Sequence, residues 1–410
     1  MQNDVEILRE LAKQVSEIAS KPIQNERKDL WRQHNSFKRV RPLIYVRAFA
    51  FSEIFNSKNL KCEDPFLRGY EYYLHMMKFR DTIGDDFIIE PWLTVESVYN
   101  PPIENRWGVR VALGEKTRDG GAAAFRPEIR EEKDIERLVF PHHEIDEKAT
   151  KERFEKLQDA VGDSLIVQVD RGSMFSCFTS DISTDLAKIR GLEQIMWDIY
   201  DRPEWFHKLL AFMRDGVLKV HEEAEKANDF SLLNHQNQAM TYAEELKDPA
   251  PNVYGVKRKE LWWFMASQEY TTFGPDKYYE FMLQYQIPIL QKFGLVAYGC
   301  CEDLTQKIDY LRKIPNLRRI AVSPFANVKK CAEQIGKDYI LSWRPNPSSM
   351  ISTGLDEDFV RNHMRENFKI FKENESYFDI TLKDVETINN QPQNVSRWVQ
   401  LVREEIEKAF

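Results

Sequence analysis

Short apolar runs alternate with helical patterns through the second half of the chain, and this alternation limits the fold more than any other feature. The runs lie at 164–170, 229–234, 295–298, 319–323, 339–343 and 377–382. Strands that alternate with helices in this way form βαβ units, which predicts an α/β fold with a parallel sheet. A closed barrel and an open doubly wound sheet share this alternation. No glycine-rich phosphate-binding motif follows the early strands, which disfavours the familiar nucleotide-binding folds.

The first part of the chain is less regular. Further strand candidates lie at 42–47, 87–91 and 107–113, which makes nine candidates for the eight places of a (β/α)8 TIM barrel. We therefore predict a small inserted β element within about 86–126, beside the mouth of the barrel. Residues 1–40 are predicted to form an N-terminal helical extension. No low-complexity linker or internal repeat divides 41–410, so this range is predicted to be one barrel domain.

Charge and cysteine content narrow the class of protein. The 410 residues are 42% hydrophobic and carry a net charge of −8, without a basic stripe, so no nucleic-acid partner is expected. Residues 1–20 lack the apolar core of a signal peptide, and no uncharged apolar run is long enough to span a membrane. The five cysteines are too irregularly spaced for a disulfide framework. We expect a cytoplasmic protein with reduced thiols that acts on a small-molecule substrate.

Several segments share their order and spacing with one known group of enzymes. They read EEKDIERL at 131–138, RGSMFSCFT at 171–179, MWDIYDRPE at 196–204, AYGCCEDL at 297–304, RIAVSP at 319–324 and QPQNVSRW at 391–398. Together they resemble the uroporphyrinogen decarboxylase-like superfamily, over about residues 40–410. That superfamily includes the zinc methyltransferases of corrinoid-dependent methyl transfer. The resemblance implies a (β/α)8 barrel with its chemistry at the carboxyl ends of the strands.

The departures from the superfamily bear on function. Porphyrin decarboxylases carry an Arg-Gln-Ala-Gly-Arg run after the first strand, but the corresponding stretch here offers Arg47 alone, and 379–391 contains no histidine. Uroporphyrinogen decarboxylation is therefore not expected. The zinc methyltransferases use His-x-Cys and a distant cysteine, whereas Tyr298 replaces the histidine before Cys300 and no cysteine follows Cys331. A metal would need substituted ligands.

Cys300, Cys301 and Glu302 stand where a strand ends and a helix begins, which is where barrel enzymes place their chemistry. Backbone N–H groups at such a junction favour a thiolate, the form that binds zinc or acts as a nucleophile. We predict His235, Cys300 and Cys301 as metal ligands and Glu302 as a catalytic carboxylate. In the alternative interpretation the cysteines pack a tight turn and Glu302 is a helix N-terminal acid.

Other polar residues near predicted strand ends are further candidates. Asn234 and Gln236 flank His235 and could hold a polar substrate, although His235 could instead cap a helix. Glu269 could ligate a metal or act as a base, or it could be a solvated surface acid. Asp170 ends the strand at 164–170 and is a catalytic candidate, with a plain ion pair as the alternative.

Arginine, tyrosine and asparagine side chains complete the predicted substrate site. Arg344 suits a carboxylate or phosphate, and prolines on both sides hold Asn346 in an extended loop. A rigid connector would have the same sequence. Arg47 and Tyr298 are also predicted to bind substrate: Arg47 stands where the resemblance places a carboxylate-binding run, and Tyr298 where it places the histidine of His-x-Cys.

The resemblance and these candidates favour a methyltransferase of a corrinoid-dependent system. It would move a methyl group between a small methylated compound and a corrinoid protein or thiol, with zinc as a Lewis acid and the corrinoid carried by a partner protein. Two alternatives stay open. One is a metal-free decarboxylase-like lyase that holds a small acid through Arg47 or Arg344. The other is a non-catalytic binding subunit, in which the polar candidates do not converge in space.

Overall fold

A computed structural model describes residues 2–47, 50–114 and 123–410. Its strands are β1 (Leu43–Val46), β2 (Trp92–Glu96), β3 (Ala112–Leu113), β4 (Phe125–Arg126), β5 (Ile166–Asp170), β6 (Trp262–Met265), β7 (Leu295–Tyr298), β8 (Leu317–Val322), β9 (Ile340–Trp343) and β10 (Tyr377–Leu382). Its helices are α1 (Gln2–Ala19), α2 (Pro22–Asn35), α3 (Phe51–Ile54), α4 (Pro65–Ile83), α5 (Glu147–Val161), α6 (Cys177–Ser180), α7 (Ser183–Arg190), α8 (Leu192–Asp201), α9 (Pro203–Lys226), α10 (Pro275–Tyr278), α11 (Gln284–Leu290), α12 (Ile308–Leu311), α13 (Val328–Ile335), α14 (Glu357–Glu373) and α15 (Gln393–Ala409).

The sheet is parallel and interrupted. Six strands pair in the order β1-β10-β9-β8-β7-β6, and β2 pairs in parallel with β5 as a separate sheet. The short β3 and β4 form an antiparallel pair within the predicted insert, whose residues 115–122 lie outside the described part of the chain. This mixed α/β architecture is consistent with a TIM-like fold.

Most of the predicted strands are confirmed, with ends that shift by a few residues. They correspond to β1, β5, β7, β8, β9 and β10. The strand predicted at 87–91 is wrong, because those residues precede β2. The strand predicted at 229–234 is also wrong, since this segment makes only an isolated bridge from Ser231 to Tyr254 and a short 3₁₀ turn. Of 107–113, only the last two residues are extended.

Strand β6 is absent from the strands predicted from the sequence. All four of its residues, Trp-Trp-Phe-Met, are buried, so no polar residue marks a period of two. Alternate residues nevertheless pack on opposite faces. Trp262 and Phe264 join an inner cluster with Leu295, Ala297 and Cys300, and the intervening residues pack against the helices.

The N-terminal helices pack onto the rest of the chain. Helix α1 lies against α4 and α5 through Leu8, Leu11 and Val15. Helix α2 contacts the segment between α4 and β2, where the Trp31 indole N–H donates to the backbone carbonyl of Asp86 at 2.7 Å. No helix in the described ranges is long and apolar enough to cross a membrane.

A buried ionic cluster joins α2 to three neighbouring strands. The carboxylate of Asp379 on β10 accepts from the Arg319 guanidinium of β8 at 2.6 Å and from Ser342 Oγ of β9 at 2.9 Å. His34 Nε2 of α2 lies 3.1 Å from the same carboxylate. Burial would raise the pKa of Asp379, but the Arg319 charge and the hydrogen bonds with His34 and Ser342 together outweigh it and lower the pKa to about 2.

We predict that Asp379→Asn costs about 3–5 kcal/mol of unfolding free energy, because it leaves the Arg319 charge buried without its counter-ion. Urea denaturation with an unchanged m-value measures this loss. The control is Asp338→Asn, which breaks an exposed pair with Arg312 and should cost no more than about 1 kcal/mol. If both variants lost the same unfolding free energy, the buried cluster would not stabilise the fold more than an exposed ion pair does.

Candidate functional site

The chain turns sharply out of β7 at Gly299, which begins the candidate site. Gly299 has a φ of +95°, and a Cβ there would lie 2.6 Å from Leu304 Cδ1, so only glycine fits without strain. The Arg344 guanidinium, at the end of β9, donates to the carbonyls of Gly299, at 3.3 Å, and of Cys300. These bonds fix the loop that carries both cysteines.

The Glu302 carboxylate holds the same loop in place through two hydrogen bonds to backbone N–H groups. Its Oε2 accepts from the backbone N–H of Cys300 at 2.8 Å, and its Oε1 accepts from the N–H of Ser267 at 2.9 Å. The side chain is buried, and burial raises the pKa of its carboxyl group. Glu302 therefore positions the loop after β7 against the loop after β6.

Two thiols and an ammonium group meet at this point. Cys300 Sγ lies 3.5 Å from Cys301 Sγ, and Lys383 Nζ lies 3.5 Å and 3.0 Å from these two sulfurs. Lys383 directly follows β10, and its neighbour Asp384 bonds both the ammonium and, at 3.6 Å, the Cys301 sulfur. The sequence analysis did not identify Lys383 or Asp384.

This arrangement separates the pKa values of the two thiols. The Cys301 thiol donates to Cys300 and, together with the Arg344 and Lys383 charges, outweighs burial and lowers the pKa of Cys300 to about 5. The pKa of Cys301 is raised, because its proton bonds the Cys300 sulfur and a second thiolate would be repelled. The pair therefore carries one negative charge at neutral pH, mainly on Cys300.

A second polar group lies at the ends of β1 and β5. Asp170 accepts from the Asn234 amide at 2.7 Å, and Gln236 Oε1 accepts from the backbone N–H of Cys177 at 2.6 Å. Cys177 is exposed, and the positive charge of Arg47 acts on its thiol. Cys177 was not singled out from the sequence, where it follows the strand end by several residues.

The structure does not bring the remaining candidates to the cysteines. His235 Nδ1 accepts from the Trp262 N–H at 3.1 Å, which places it along the edge of β6, and burial lowers its pKa to about 4. Glu269 lies beside Asp181 and helps to raise the pKa of that buried carboxyl. Asn346 is exposed and caps the N–H of Ser348.

Tyr298 and Arg344 are engaged by the protein itself. The Tyr298 hydroxyl bonds Ser267 at 2.7 Å, Tyr278 at 2.8 Å and Gln286 at 2.6 Å, all on the helix side of the sheet. Arg344 donates to the two carbonyls of the cysteine loop, and the space beside it holds only about 10 Å³, the size of one water. A carboxylate clamp of the kind that the lyase alternative needs is therefore not formed by Arg344.

The donor set does not fit a zinc ion. Among the described residues, no three histidine, cysteine, aspartate or glutamate side chains come close enough together to hold a metal. The ammonium of Lys383 instead contacts both sulfurs, and a cation there would repel a second one. The predicted set of His235, Cys300 and Cys301 stays a prediction without support from this geometry.

Comparison with known proteins gives a fold but no family. A solved structure of a methyltransferase from Methanosarcina mazei resembles this chain with a TM-score of 0.53 and 11% identity, covering 92% of this chain and 98% of that one. At this identity the likeness concerns the fold alone. No family model matches the sequence, and a search of curated proteins found no match.

We predict that the thiolate absorbance near 240 nm, taken as wild type minus Cys300→Ser, titrates with a midpoint near pH 5. Lys383→Met should raise this midpoint by about 1–3 pH units, because a cation that favours the thiolate is lost. Cys331→Ser is the control, since burial raises the pKa of Cys331 to about 11 and its loss should leave the acid transition unchanged. A midpoint near 9 in the wild type would show that the charges do not act on Cys300.

Proposed function

We propose that this chain is a methyl-transfer enzyme of the uroporphyrinogen decarboxylase-like superfamily, with the Cys300 thiolate as its nucleophile. The observation that carries the proposal is the contact of Lys383 Nζ with both sulfurs, at 3.5 Å and 3.0 Å. A thiolate stabilised by cations attacks methyl carbon far better than a thiol does. The fold likeness to a methyltransferase supports the same class of reaction.

The proposed architecture is a barrel of eight parallel strands, in which the hydrogen bonding between β1 and β2 is interrupted. The paired β2 and β5 would complete the ring between β1 and β6. In support, the segment before β6 bridges the gap to β5: the Gln236 N–H donates to the Trp262 carbonyl at 3.0 Å, and the Gln168 amide of β5 donates to Ser231 Oγ at 2.8 Å. The residues that follow each strand would then share one mouth.

The proposed reaction consists of two displacements at a methyl carbon. The Cys300 thiolate first attacks the methyl group of a small donor: the S–C bond forms, and the leaving group departs with the electron pair of the bond that breaks. Lys383 or solvent supplies a proton where the leaving group needs one. An acceptor thiolate then attacks the same carbon, and Cys300 departs as a thiolate. Its low pKa makes it a good leaving group in this second step.

The donor reaches Cys300 past Cys301 and Asp384. Cys300 itself is buried, Cys301 is half-buried, and the Asp384 side chain is 54% exposed. A methyl group is small enough to approach between them, and the burial of Cys300 keeps water away from the thiolate. Lys383, only 5% exposed, keeps the charge on the sulfur during the approach.

Zinc and a corrinoid enter the proposal differently. In the usual zinc enzymes a metal lowers the pKa of the reacting thiol, and here Lys383, Arg344 and the Cys301 proton do so. The space of about 10 Å³ beside Arg344 does not enclose a corrinoid, so a corrinoid, either free or carried by a partner protein, would present its methyl group from outside, at the mouth. All five cysteines, each within the described residues, are free, which suits a reducing compartment such as the cytoplasm.

We predict that protein incubated anaerobically with isotope-labelled methylcobalamin gains one methyl group on Cys300, and that added 2-mercaptoethanol then removes the label as its methyl thioether. Mass spectrometry of the Cys300 peptide and of the thioether measures the two steps. Cys300→Ser should abolish both. Lys383→Met should slow the first step at pH 6, where its thiolate fraction is lower.

Cys331→Ser is the matched control for the loss of a buried cysteine outside the site, and it should retain transfer. Labelling that persists in Cys300→Ser would contradict the proposed nucleophile. No transfer to the wild-type protein or to the thiol would contradict methyl transfer as the function. Zinc bound at one ion per chain, and lost in Cys300→Ser, would replace the ammonium mechanism by a metal mechanism.

A further inference from the structure

The parallel sheet is open between β1 and β2, and side chains occupy the exposed edge of β1. Asp86 Oδ2 accepts from the Ile44 N–H, and Asp85 Oδ2 accepts from the Val46 N–H, each at 2.8 Å. The Arg80 guanidinium donates to the Val46 carbonyl at 2.8 Å. Buried backbone groups must be paired, and here the loop before β2 pairs those of β1 instead of a strand. The opening is therefore built into the hydrogen bonding of the fold.

A cleft of about 660 Å³ lies on the β2 side of this opening, between helix α4 and strand β2. Its volume falls in the range of small-molecule sites. The walls are strongly aromatic, and the aromatic residues that line it are Phe66, Tyr70, Tyr73, Phe87 and Trp92. The α4 members recur at helical spacing, so one face of the helix is turned to the cleft instead of to a neighbouring element.

Four polar side chains of the cleft, of which Glu96 and Arg153 are exposed, are not held by hydrogen bonds within the described part of the protein. Within the described residues, the Tyr73 hydroxyl, the Thr94 hydroxyl, the Glu96 carboxylate and the Arg153 guanidinium make no hydrogen bond or ion pair, although all four residues line the cleft. Tyr73 is 38% exposed, yet burial raises the pKa of its hydroxyl. A side chain that is both accessible and surrounded by protein faces a cavity.

Glycine at position 69 keeps the cleft wide. Gly69 lies within α4 on the face that lines the cleft, and a Cβ there would meet no atom within 4 Å. Alanine or leucine would favour the helix, since glycine is a poor helix former. A larger side chain would fit the helix but would project into the cleft.

The chemistry of the lining selects the class of ligand. The Glu96 carboxylate only accepts hydrogen bonds and the Arg153 guanidinium only donates them, so the ligand must present both donors and acceptors. The carboxylate of Glu90 at the inner end is neutralised by Lys28 at 2.7 Å, which leaves no excess negative charge for an organic cation. Aromatic faces pack against apolar ring surfaces. Hydroxyl groups around a ring with an apolar face satisfy all three requirements.

We propose that the cleft between α4 and β2 is a binding site for a sugar, at the size of a mono- or disaccharide. Aromatic side chains of α4 and β2 would contact the faces of its rings. Tyr73, Thr94, Glu96 and Arg153 would bond its hydroxyl groups. This site is distinct from the cysteine pair and does not depend on the proposed methyl transfer.

Saturation-transfer NMR with D-glucose, D-galactose, D-xylose, cellobiose and maltose tests the proposal on the full-length protein, and titration of the best binder gives its Kd. We expect at least one of these sugars to bind. Tyr73→Phe should raise the Kd about 2- to 10-fold through the loss of one hydrogen bond. Gly69→Leu should abolish binding by filling the cleft, whereas Gly69→Ala should retain most of it.

The Gly69 variants should melt at or above the wild-type temperature, and the midpoint of their thiolate titration at Cys300 should be unchanged. These two controls distinguish a blocked cleft from a misfolded protein. The proposal is overturned if none of the sugars shows saturation transfer at millimolar concentration. It is equally overturned if a sugar binds Gly69→Leu as well as wild type, or if choline or indole occupies the cleft and the sugars do not.

Discussion

The buried carboxylate of Asp379 is the interaction on which the arrangement of the strands depends. It joins residues of β8, β9 and β10 and reaches α2 through His34, so elements far apart in sequence share one charge. Such a charge is tolerated in the interior only with its partners in place. The cluster also fixes the register of β8, β9 and β10 relative to one another. A shift of one residue would turn Arg319 or Ser342 away from Asp379. The strand ends that carry Cys300, Arg344 and Lys383 are positioned by this register.

Buried charges also act at the candidate site, but there they favour an ionised thiol instead of neutralising one another. At Asp379 a cation and an anion neutralise one another and stabilise the fold, whereas at Cys300 the Cys301 thiol and two cations favour the thiolate of a sulfur that would otherwise hold its proton. Cys301 keeps its proton and shares it with Cys300, so the pair behaves as one anion with an attached donor. The ionised and the protonated thiol are thus adjacent residues of one loop, and Gly299 and Glu302 hold that loop in place.

Part of this could be predicted from the sequence. Strands rich in β-branched residues, such as β10, stand out from their surroundings, and the junction after β7 directed attention to Cys300 and Cys301. The aromatic run of β6 has no alternation to reveal it. Lys383 was overlooked because the end of β10 was searched for a histidine. Arg344 was recognised as a site candidate, but its contact with the carbonyl of Cys300, 44 residues away, follows only from the pairing of the strands.

The gap between β1 and β2 has a consequence for the behaviour of the protein in solution. Unpaired strand edges are templates for other chains, and a sheet with an opening risks association edge to edge. Here Asp85, Asp86 and Arg80 occupy the hydrogen-bonding groups of β1. Helix α4 covers β2, where the Tyr70 hydroxyl takes the Thr94 carbonyl at 2.8 Å. The backbone groups of β1 beside the gap are therefore not available to pair with a strand of another chain.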